Sequence, residues 1–232
     1  MNGTTEWRTE FDLLYNNIMS NQAPSINDYE ASVVLTQAEE EVVVTLFTGR
    51  RLHPFESTEE VTQYLAPLVE QCVLTTPMSV QQDAKLNKNS YFFKLPDNLW
   101  FKTLERVTIA DDALSCNGSS ERQVAVVPVT QDEYDRTINN PFKWGNDRRV
   151  IALTPEEKVV ELVSNYKINS YLLRYLRRPK PIILTDLSGT GLSINGETSE
   201  QDCELHEALH RSILVRAVEI AKSIWANSAQ QG

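Results

Sequence analysis

The chain has 232 residues, of which 41% are hydrophobic and four are tryptophan, enough apolar material for a folded core rather than a disordered chain. Its formal net charge of −10 argues against a surface that wraps nucleic acid, because such binding depends on many Lys and Arg contacts to phosphates. No apolar run approaches the roughly 18 residues of a membrane helix, the N-terminus lacks the features of a signal peptide, and three scattered cysteines indicate neither a disulfide framework nor a zinc ribbon. We therefore expect a protein that makes no membrane contact and is assembled in a cytoplasm.

The first part of the chain is predicted to be helical. Trp7, Phe11, Leu14 and Ile18 recur at helical spacing and give the first helix one apolar face. Serine or threonine followed three residues later by an acid is a typical helix start. The starts that this pattern predicts are a short turn at Ser25, a helix from Thr36 to Phe47 that Gly49 ends, and a helix from Ser57 to about Ala66.

Two further expectations concern the second of these helices. The residues just before it, Ser32–Leu35, are predicted to be extended, so that Thr36 caps the helix and Glu39 completes the capping box. The acids Glu39, Glu40 and Glu41 are interpreted as solvated charge on an exposed helix face.

From about Thr75 the pattern changes to β-strands that are rich in β-branched and aromatic residues. The predicted strands are Tyr91–Pro96, Leu99–Ile109, Arg122–Val129, Arg148–Leu153, Lys158–Val163 and Tyr171–Leu176. Thr130 and Glu133 form another capping-box pattern, which predicts a short helix over Gln131–Thr137.

The last quarter of the chain combines turn signals with a long amphipathic helix. Gly189, Gly191 and the dipeptide Asn195-Gly196 predict a hairpin turn. A helix is then predicted from Leu205 to Trp225, and its buried stripe consists of Leu209, Ile213, Ala217, Ile220 and Ile224.

These elements predict an α+β protein with a helical layer and a largely antiparallel β-rich middle region. The expected organisation is an N-terminal helical part over 1–74, a β-rich middle lobe over 75–200 with a short helix near 131–137, and a C-terminal helix over 201–232 that packs back on the N-terminal helices. We also expect the middle lobe to make most of the contacts with other proteins.

One motif would indicate an enzyme. His206-Glu207-Ala208-Leu209-His210 matches the H-E-x-x-H pattern of zinc-dependent hydrolases, in which two histidines one helical turn apart bind the metal and the Glu activates water. We interpret the match as coincidence, because Ile213 and Arg216 stand where the metzincin extension needs Gly and His. Only Glu219 follows as an acid, and it lies on the same predicted helix as the histidines.

The remaining chemistry is sparse. The chain has no P-loop and no G-x-S-x-G elbow, so we predict no catalytic residues, no metal site and no cofactor. Its basic residues cluster once, at Arg174, Arg177, Arg178 and Lys180. We interpret Arg174, Arg177 and Arg178 as a subunit-interface cluster paired with acids; the alternatives are a solvated face and a phosphate-binding site.

Five segments, in order and spanning most of the chain, resemble a family of virion structural proteins of crAss-like podoviruses, which infect gut Bacteroidales bacteria. The segments are Tyr29–Arg50, Phe55–Val69, Val126–Phe142, Tyr175–Leu184 and Cys203–Ala221. In that family the last segment keeps the second histidine, which is His210 here, whereas the first is not a family feature. The resemblance brings no catalytic residues with it.

The resemblance implies a connector ring protein that is stacked below the portal, forms part of the DNA channel and joins the head to the tail. The expected partners are further copies of the chain in a ring, commonly a dodecamer, together with the portal protein and other connector or tail proteins. Double-stranded DNA would pass through the channel without specific binding, and the protein would be found in the neck or tail of the virion. A zinc hydrolase or another tail-associated binding protein stays open as an alternative.

Overall fold

The computed structural model describes residues 3–18, 25–48, 59–83, 88–110, 121–140 and 142–229. The chain divides into two compact units, one formed by residues 1–68 together with 178–232 and the other by Val69–Arg177. The described residues form five α-helices and one eight-stranded, mostly antiparallel sheet, which confirms the predicted α+β class. No helix in the described part of the chain is both long and apolar enough to cross a lipid bilayer.

The first unit is helical and is built from both ends of the chain. Its helix α5 packs against α1 and α2, and a single turn of 3₁₀-helix, Glu207–Leu209, leads into α5. The helices of this unit are α1 (Thr4–Ile18), α2 (Asp28–Thr48), α3 (Glu59–Leu65) and α5 (His210–Ala229).

The start of α2 corrects two predictions. Ser32–Leu35 is not extended, and Thr36 does not cap a helix, because α2 runs without interruption from Asp28. The capping box lies at Asn27 and Glu30, where the Glu30 N–H donates to Asn27 Oδ1 (2.8 Å) and the Asn27 N–H donates to Glu30 Oε2 (2.9 Å).

Ser32 and Thr36 have a different task, which is to hold a distant segment against α2. Both residues are buried. The Leu184 N–H donates to Ser32 Oγ (3.0 Å), and the Ile182 N–H donates to Thr36 Oγ1 (3.1 Å). These hydroxyls satisfy backbone donors that would otherwise be buried without a partner. The predicted helix stop at Gly49 and the predicted start at Ser57 lie outside the described residues.

The buried stripe of α5 is confirmed at four of its five predicted positions, since Leu209, Ile213, Ala217 and Ile220 are buried. Ile224 is 56% exposed, so its predicted burial is wrong. The buried face also includes Leu214, Val218 and Ala221. The face is wider than one i, i+3, i+4 stripe because α5 contacts two helices at once.

The second unit is a curled eight-stranded sheet with the strand order β1-β8-β4-β5-β6-β7-β3-β2. Its strands are β1 (Val69–Leu74), β2 (Ser79–Asp83), β3 (Lys88–Lys94), β4 (Leu99–Ala110), β5 (Glu121–Pro128), β6 (Arg149–Glu156), β7 (Val159–Ser164) and β8 (Lys167–Arg177). All six predicted strands are present, with bounds that differ by up to four residues. The strands β1 and β2 were not predicted.

The curl of this sheet is deep enough to bring distant strands together. Phe93 of β3 and Tyr171 of β8 have four strands between them in the sheet order, yet their ring centroids are 5.7 Å apart. A flat sheet would separate them by more than 20 Å, at about 4.8 Å per strand. The two side chains belong to one core cluster, to which β3–β8 all contribute, so the concave face of the sheet encloses the core of this unit.

One bent stretch of chain closes the curl. The strands β1 and β2 run in the same direction within the sheet, and only four residues, 75–78, connect them. The first strand ends at Leu74, opposite Tyr171 of β8, and the second begins at Ser79, opposite Phe92 of β3. The chain therefore changes neighbour from β8 to β3 at the place where the Tyr171 and Phe93 rings meet.

The remaining helix, α4 (Gln131–Ile138), explains why the strand pattern is interrupted. Strands β5 and β6 pair in parallel, and a parallel pair needs a crossover connection instead of a hairpin. Thr130 is the N-cap residue, as its position predicts, but its side chain makes no capping hydrogen bond. The predicted turn at Asn195-Gly196 is present, with positive φ at both residues (51° and 88°), as a type I′ turn requires.

The packing of α5 leads to a prediction about folding. Ile213 is fully buried, so Ile213→Asp places an unpaired carboxylate in the seam between α5 and its neighbours. We expect this change to lower the free energy of unfolding by about 4 kcal/mol or more, or to leave only aggregated protein. The matched control is Ile224→Asp on the exposed side of the same helix, for which we expect a change within about 0.5 kcal/mol. Urea denaturation followed by circular dichroism measures both, and a normally stable Ile213→Asp protein would contradict the packing.

Candidate functional site

The H-E-x-x-H motif does not lie on one helix. His206 is the N-cap of the 3₁₀ turn Glu207–Leu209, with backbone angles of −58° and 136°, and α5 begins only at His210. His206 is exposed, and its Nδ1 accepts a hydrogen bond from the Ala208 N–H at 3.2 Å. The spacing of one regular helical turn that a zincin needs is therefore absent.

His210 is a packing residue of the helical core. It is buried, its Nε2 lies 3.1 Å from the carbonyl oxygen of Leu205, and its ring centroid is 4.9 Å from that of Trp7. Burial lowers the pKa of His210, because the apolar surroundings favour the neutral imidazole over the charged one. His206 instead stands beside Tyr64, with 5.4 Å between the ring centroids, so the two histidines have different aromatic neighbours.

No group of three or more His, Cys, Asp or Glu side chains that could hold a metal ion occurs among the described residues. Glu207 is exposed in the 3₁₀ turn, where an acid suits the N-terminal end of a helical segment. His53, the remaining histidine of the sequence, lies outside the described residues.

The thiol of Cys203 contacts the carboxylate of a buried acid, Glu39. Its Sγ lies 3.1 Å from Oε1 of Glu39, which is fully buried on α2, so the prediction that Glu39 is exposed is wrong. Burial, followed by the charge of Glu39, raises the pKa of the Cys203 thiol. A thiol that stays protonated is a poor nucleophile. Cys203 thus has a structural environment, and Glu39 is better described as part of the helical core than as surface charge.

Of the three arginines assigned to the cluster, Arg177 ends β8 and belongs to the β unit. Its Nε lies 3.1 Å from Oε1 of Glu70 on β1, and its side chain is only 17% exposed. Glu70 also accepts hydrogen bonds from the Tyr175 hydroxyl (2.8 Å) and from Asn98 Nδ2 (2.9 Å). The Tyr175 bond, with Asn98 and Arg177, lowers the pKa of Glu70, while burial and Glu70 together raise the pKa of Tyr175 to about 12.

Arg178 belongs to the helical unit and makes a bidentate pair with Glu40 of α2. Its Nε and one terminal nitrogen each donate to a Glu40 oxygen at 2.9 Å. Asn195, in the type I′ turn, donates to the same carboxylate at 3.0 Å. This fork-to-fork geometry fixes the guanidinium more firmly than a single contact would, although half of the Arg178 side chain stays exposed.

A second arginine, for which the sequence predicted no partner, also pairs with an acid of α2. Arg216 of α5 donates through Nε to Glu41 at 2.6 Å and through a terminal nitrogen to Glu219 of its own helix at 3.0 Å. The signal available in the sequence was the pair of adjacent acids Glu40 and Glu41, whose partners lie far away along the chain and could not be chosen from spacing.

The third member, Arg174, is half-buried and lies in β8, on the opposite face from Tyr175 and Arg177 because successive strand residues alternate. Within the chain, Arg177 and Arg178 pair with Glu70 and Glu40 of the same molecule. An interface role for Arg174, Arg177 and Arg178 therefore stays a prediction, and it would have to use what those pairs leave exposed.

Comparison with known proteins gives a consistent assignment over nearly the whole chain. The family model described as phage tail ring protein 3/4 matches residues 1–231. The protein named Ring protein 3 of Bacteroides phage crAss001 is 38% identical over 219 residues, which are 93% of this chain and 93% of that protein. Ring protein 4/5 of the same phage is 34% identical over 242 residues, with 97% of this chain and 94% of that protein covered.

The histidine geometry predicts that the protein does not depend on zinc. We expect metal analysis of the purified protein to find no stoichiometric zinc, and we expect a chelator to leave its thermal unfolding unchanged, because His206 lies outside α5 and one ring nitrogen of each histidine already has a backbone partner. Leu209→Ala, a change between the two histidines, controls for simple loss of packing. One equivalent of bound zinc that disappears in His210→Ala, together with a hydrolytic activity, would reverse the interpretation of this motif.

Proposed function

The chain belongs to the phage tail ring protein 3/4 family, which makes it a virion ring structural protein, and from this premise we propose that it forms one of the connector rings stacked below the portal. In this role it lines part of the channel for packaged DNA and joins the head to the tail. The proposed ring is a dodecamer that matches the portal, contacts the portal or other connector proteins, and is assembled in the host cytoplasm before it becomes part of the virion neck.

The observation that carries the proposal is the near-complete coverage of two relatives that are named as different rings, 3 and 4/5. A chain that aligns with both over more than nine-tenths of its length and of theirs matches a ring subunit in size. The proposal assigns the protein to the stack of rings without choosing a layer. We propose no enzymatic role, because both relatives are named as rings.

The charge of the chain supports the proposed channel. A net charge of −10 repels phosphate, so DNA can slide past the subunits without the counterion release that makes binding tight. The exposed arginines also fit, since Arg178 and Arg216 are each held by carboxylates of the same chain. Cations that are neutralised in this way attract passing phosphates less strongly.

Imaging of virions tests the proposed location directly. Cryo-electron microscopy of the phage particle, with symmetry determined locally at the neck, is expected to show a ring of this fold between the portal and the tail, with the dodecameric copy number. An antibody against the exposed type I′ turn at Asn195-Gly196 should label the same place. Density for this fold at the tail tip or in the fibres, and none in the neck, would contradict the proposal.

The arginine cluster gives a separate prediction about assembly. We expect Arg178→Ala to weaken ring formation while it lowers stability by at most about 1 kcal/mol, because Arg178 makes a half-exposed ion pair and its exposed part is proposed to contact the next subunit. Arg216→Ala is the matched control, since Arg216 is 47% exposed and is also paired with an α2 acid. Sedimentation velocity measures both variants, and identical assembly of Arg178→Ala and the unmodified protein would remove Arg178 from the interface.

A further inference from the structure

The bent stretch that closes the β unit has two strand edges that face in opposite directions. Strand β1 pairs with β8, and β2 pairs with β3; in the part of the chain that the structure describes, neither strand has a neighbour on its other side. The chain changes neighbour between Leu74 and Ser79, so β1 and β2 are paired on opposite sides of the same stretch. Their unpaired edges are therefore on opposite sides as well.

The side chains along this stretch are unusually apolar for a solvent-exposed edge. Val73 is 52% exposed, Met78 is 64% exposed and Val80 is 52% exposed. Val80 stands directly opposite Tyr91, which is only 7% exposed and belongs to the core cluster. Residues opposite each other in an antiparallel pair share one face of the sheet, so Val80 lies on the core face and yet remains half uncovered.

The backbone at this edge is also ready to pair. The Leu95 N–H donates to the Lys158 carbonyl at 2.9 Å, in register with the β3–β7 pairing, so the even-numbered N–H groups of β3 point toward β2 because successive N–H groups alternate. Phe92 and Ser90 of β3 stand opposite Ser79 and Gln81 and form the ladder with them. The N–H of Val80 therefore points away from β3, toward the free edge. Neither β1 nor β2 contains Lys, Arg or Pro, the residues with which proteins commonly protect an exposed edge from pairing.

We propose that the free edge of β2 is a subunit contact that pairs with the free edge of β1 from a second copy of the chain. The inference rests on the proposed ring, because a ring needs a heterologous contact made by two different surfaces of each subunit. The two edges meet that requirement: they differ, they face opposite ways, and each carries exposed apolar side chains. Pairing joins the sheets of neighbouring subunits by strand addition and covers Met78 and Val80.

Two substitutions at one exposed position separate the backbone contact from the side chain. Val80→Pro removes an N–H that points toward the free edge and leaves the β2–β3 ladder intact, whereas Val80→Ala keeps the N–H and shortens the side chain. We expect Val80→Pro to abolish the ring species in sedimentation velocity and Val80→Ala to retain it, with the same circular dichroism spectrum for both. Rings formed by a folded Val80→Pro protein would overturn the inference, and so would a chain that stays monomeric at every concentration tested.

A crosslinking experiment identifies the partner edge. Cys72 of β1 packs against the core cluster and so lies on the same face as Val80. Val80→Cys subunits in which Cys72 is replaced by serine are mixed with unmodified subunits that carry a different tag, and the mixture is oxidised. The expected product is a mixed disulfide dimer between position 80 and Cys72 that neither protein forms alone. Dimers of Val80→Cys with itself would show that β2 pairs with another β2, which overturns the assignment to β1. The virion images keep the two proposals separate: a neck ring whose β2 edges face solvent contradicts only the strand pairing, whereas absence from the neck contradicts the proposed function.

Discussion

The hydrogen bonds between α2 and the segment 182–184 hold the helical unit together, and much of the fold depends on them. The two parts of this unit, 1–68 and 178–232, are separated in sequence by the whole β unit, so no local preference can bring them together. The Ser32 and Thr36 hydroxyls receive the backbone N–H groups of Leu184 and Ile182, and α5 then packs on α1 and α2. A helix with a polar row inside its buried face therefore specifies where the returning chain must lie, because only that position satisfies the buried donors.

In the β unit, the curled sheet is closed over its core by its two end strands, β1 and β2. A single bent stretch, β1 followed by β2, pairs first with β8 and then with β3, and the rings of Tyr171 and Phe93 meet where it bends. Closure by one strand that changes neighbours leaves each half of that strand with a free edge. A monomer gains nothing from exposed Met78 and Val80, whereas a subunit that must join two neighbours through different surfaces can use both edges.

Each of the two units has its own set of internal ion pairs. Acids on α2 neutralise Arg178 and Arg216, and Glu70 at the start of β1 gathers Tyr175, Asn98 and Arg177. These pairs join parts of each unit that are distant in sequence. The acids still outnumber the bases, so the chain keeps its net charge of −10. The surplus of carboxylates gives the molecule a field that repels phosphate, which supports the proposed passage of DNA through the ring.

The sequence by itself determined the elements whose pattern is local. Strand β4, helix α4 and the type I′ turn at Asn195-Gly196 were predicted because β-branched runs, capping residues and turn dipeptides act over a few neighbours. The tertiary structure decided the rest. Ser32–Leu35 has the composition of a strand, but the two buried hydroxyls of α2 are needed to hold 182–184, and that segment lies far away in sequence. The strands β1 and β2, which lack the long β-branched and aromatic runs of the predicted strands, form because β8 and β3 offer them edges. His206 is outside α5 because the chain turns through a 3₁₀ segment before His210 packs against Trp7. In each case a long-range contact supplied more free energy than the local preference it replaced, so spacing along the chain could not reveal it.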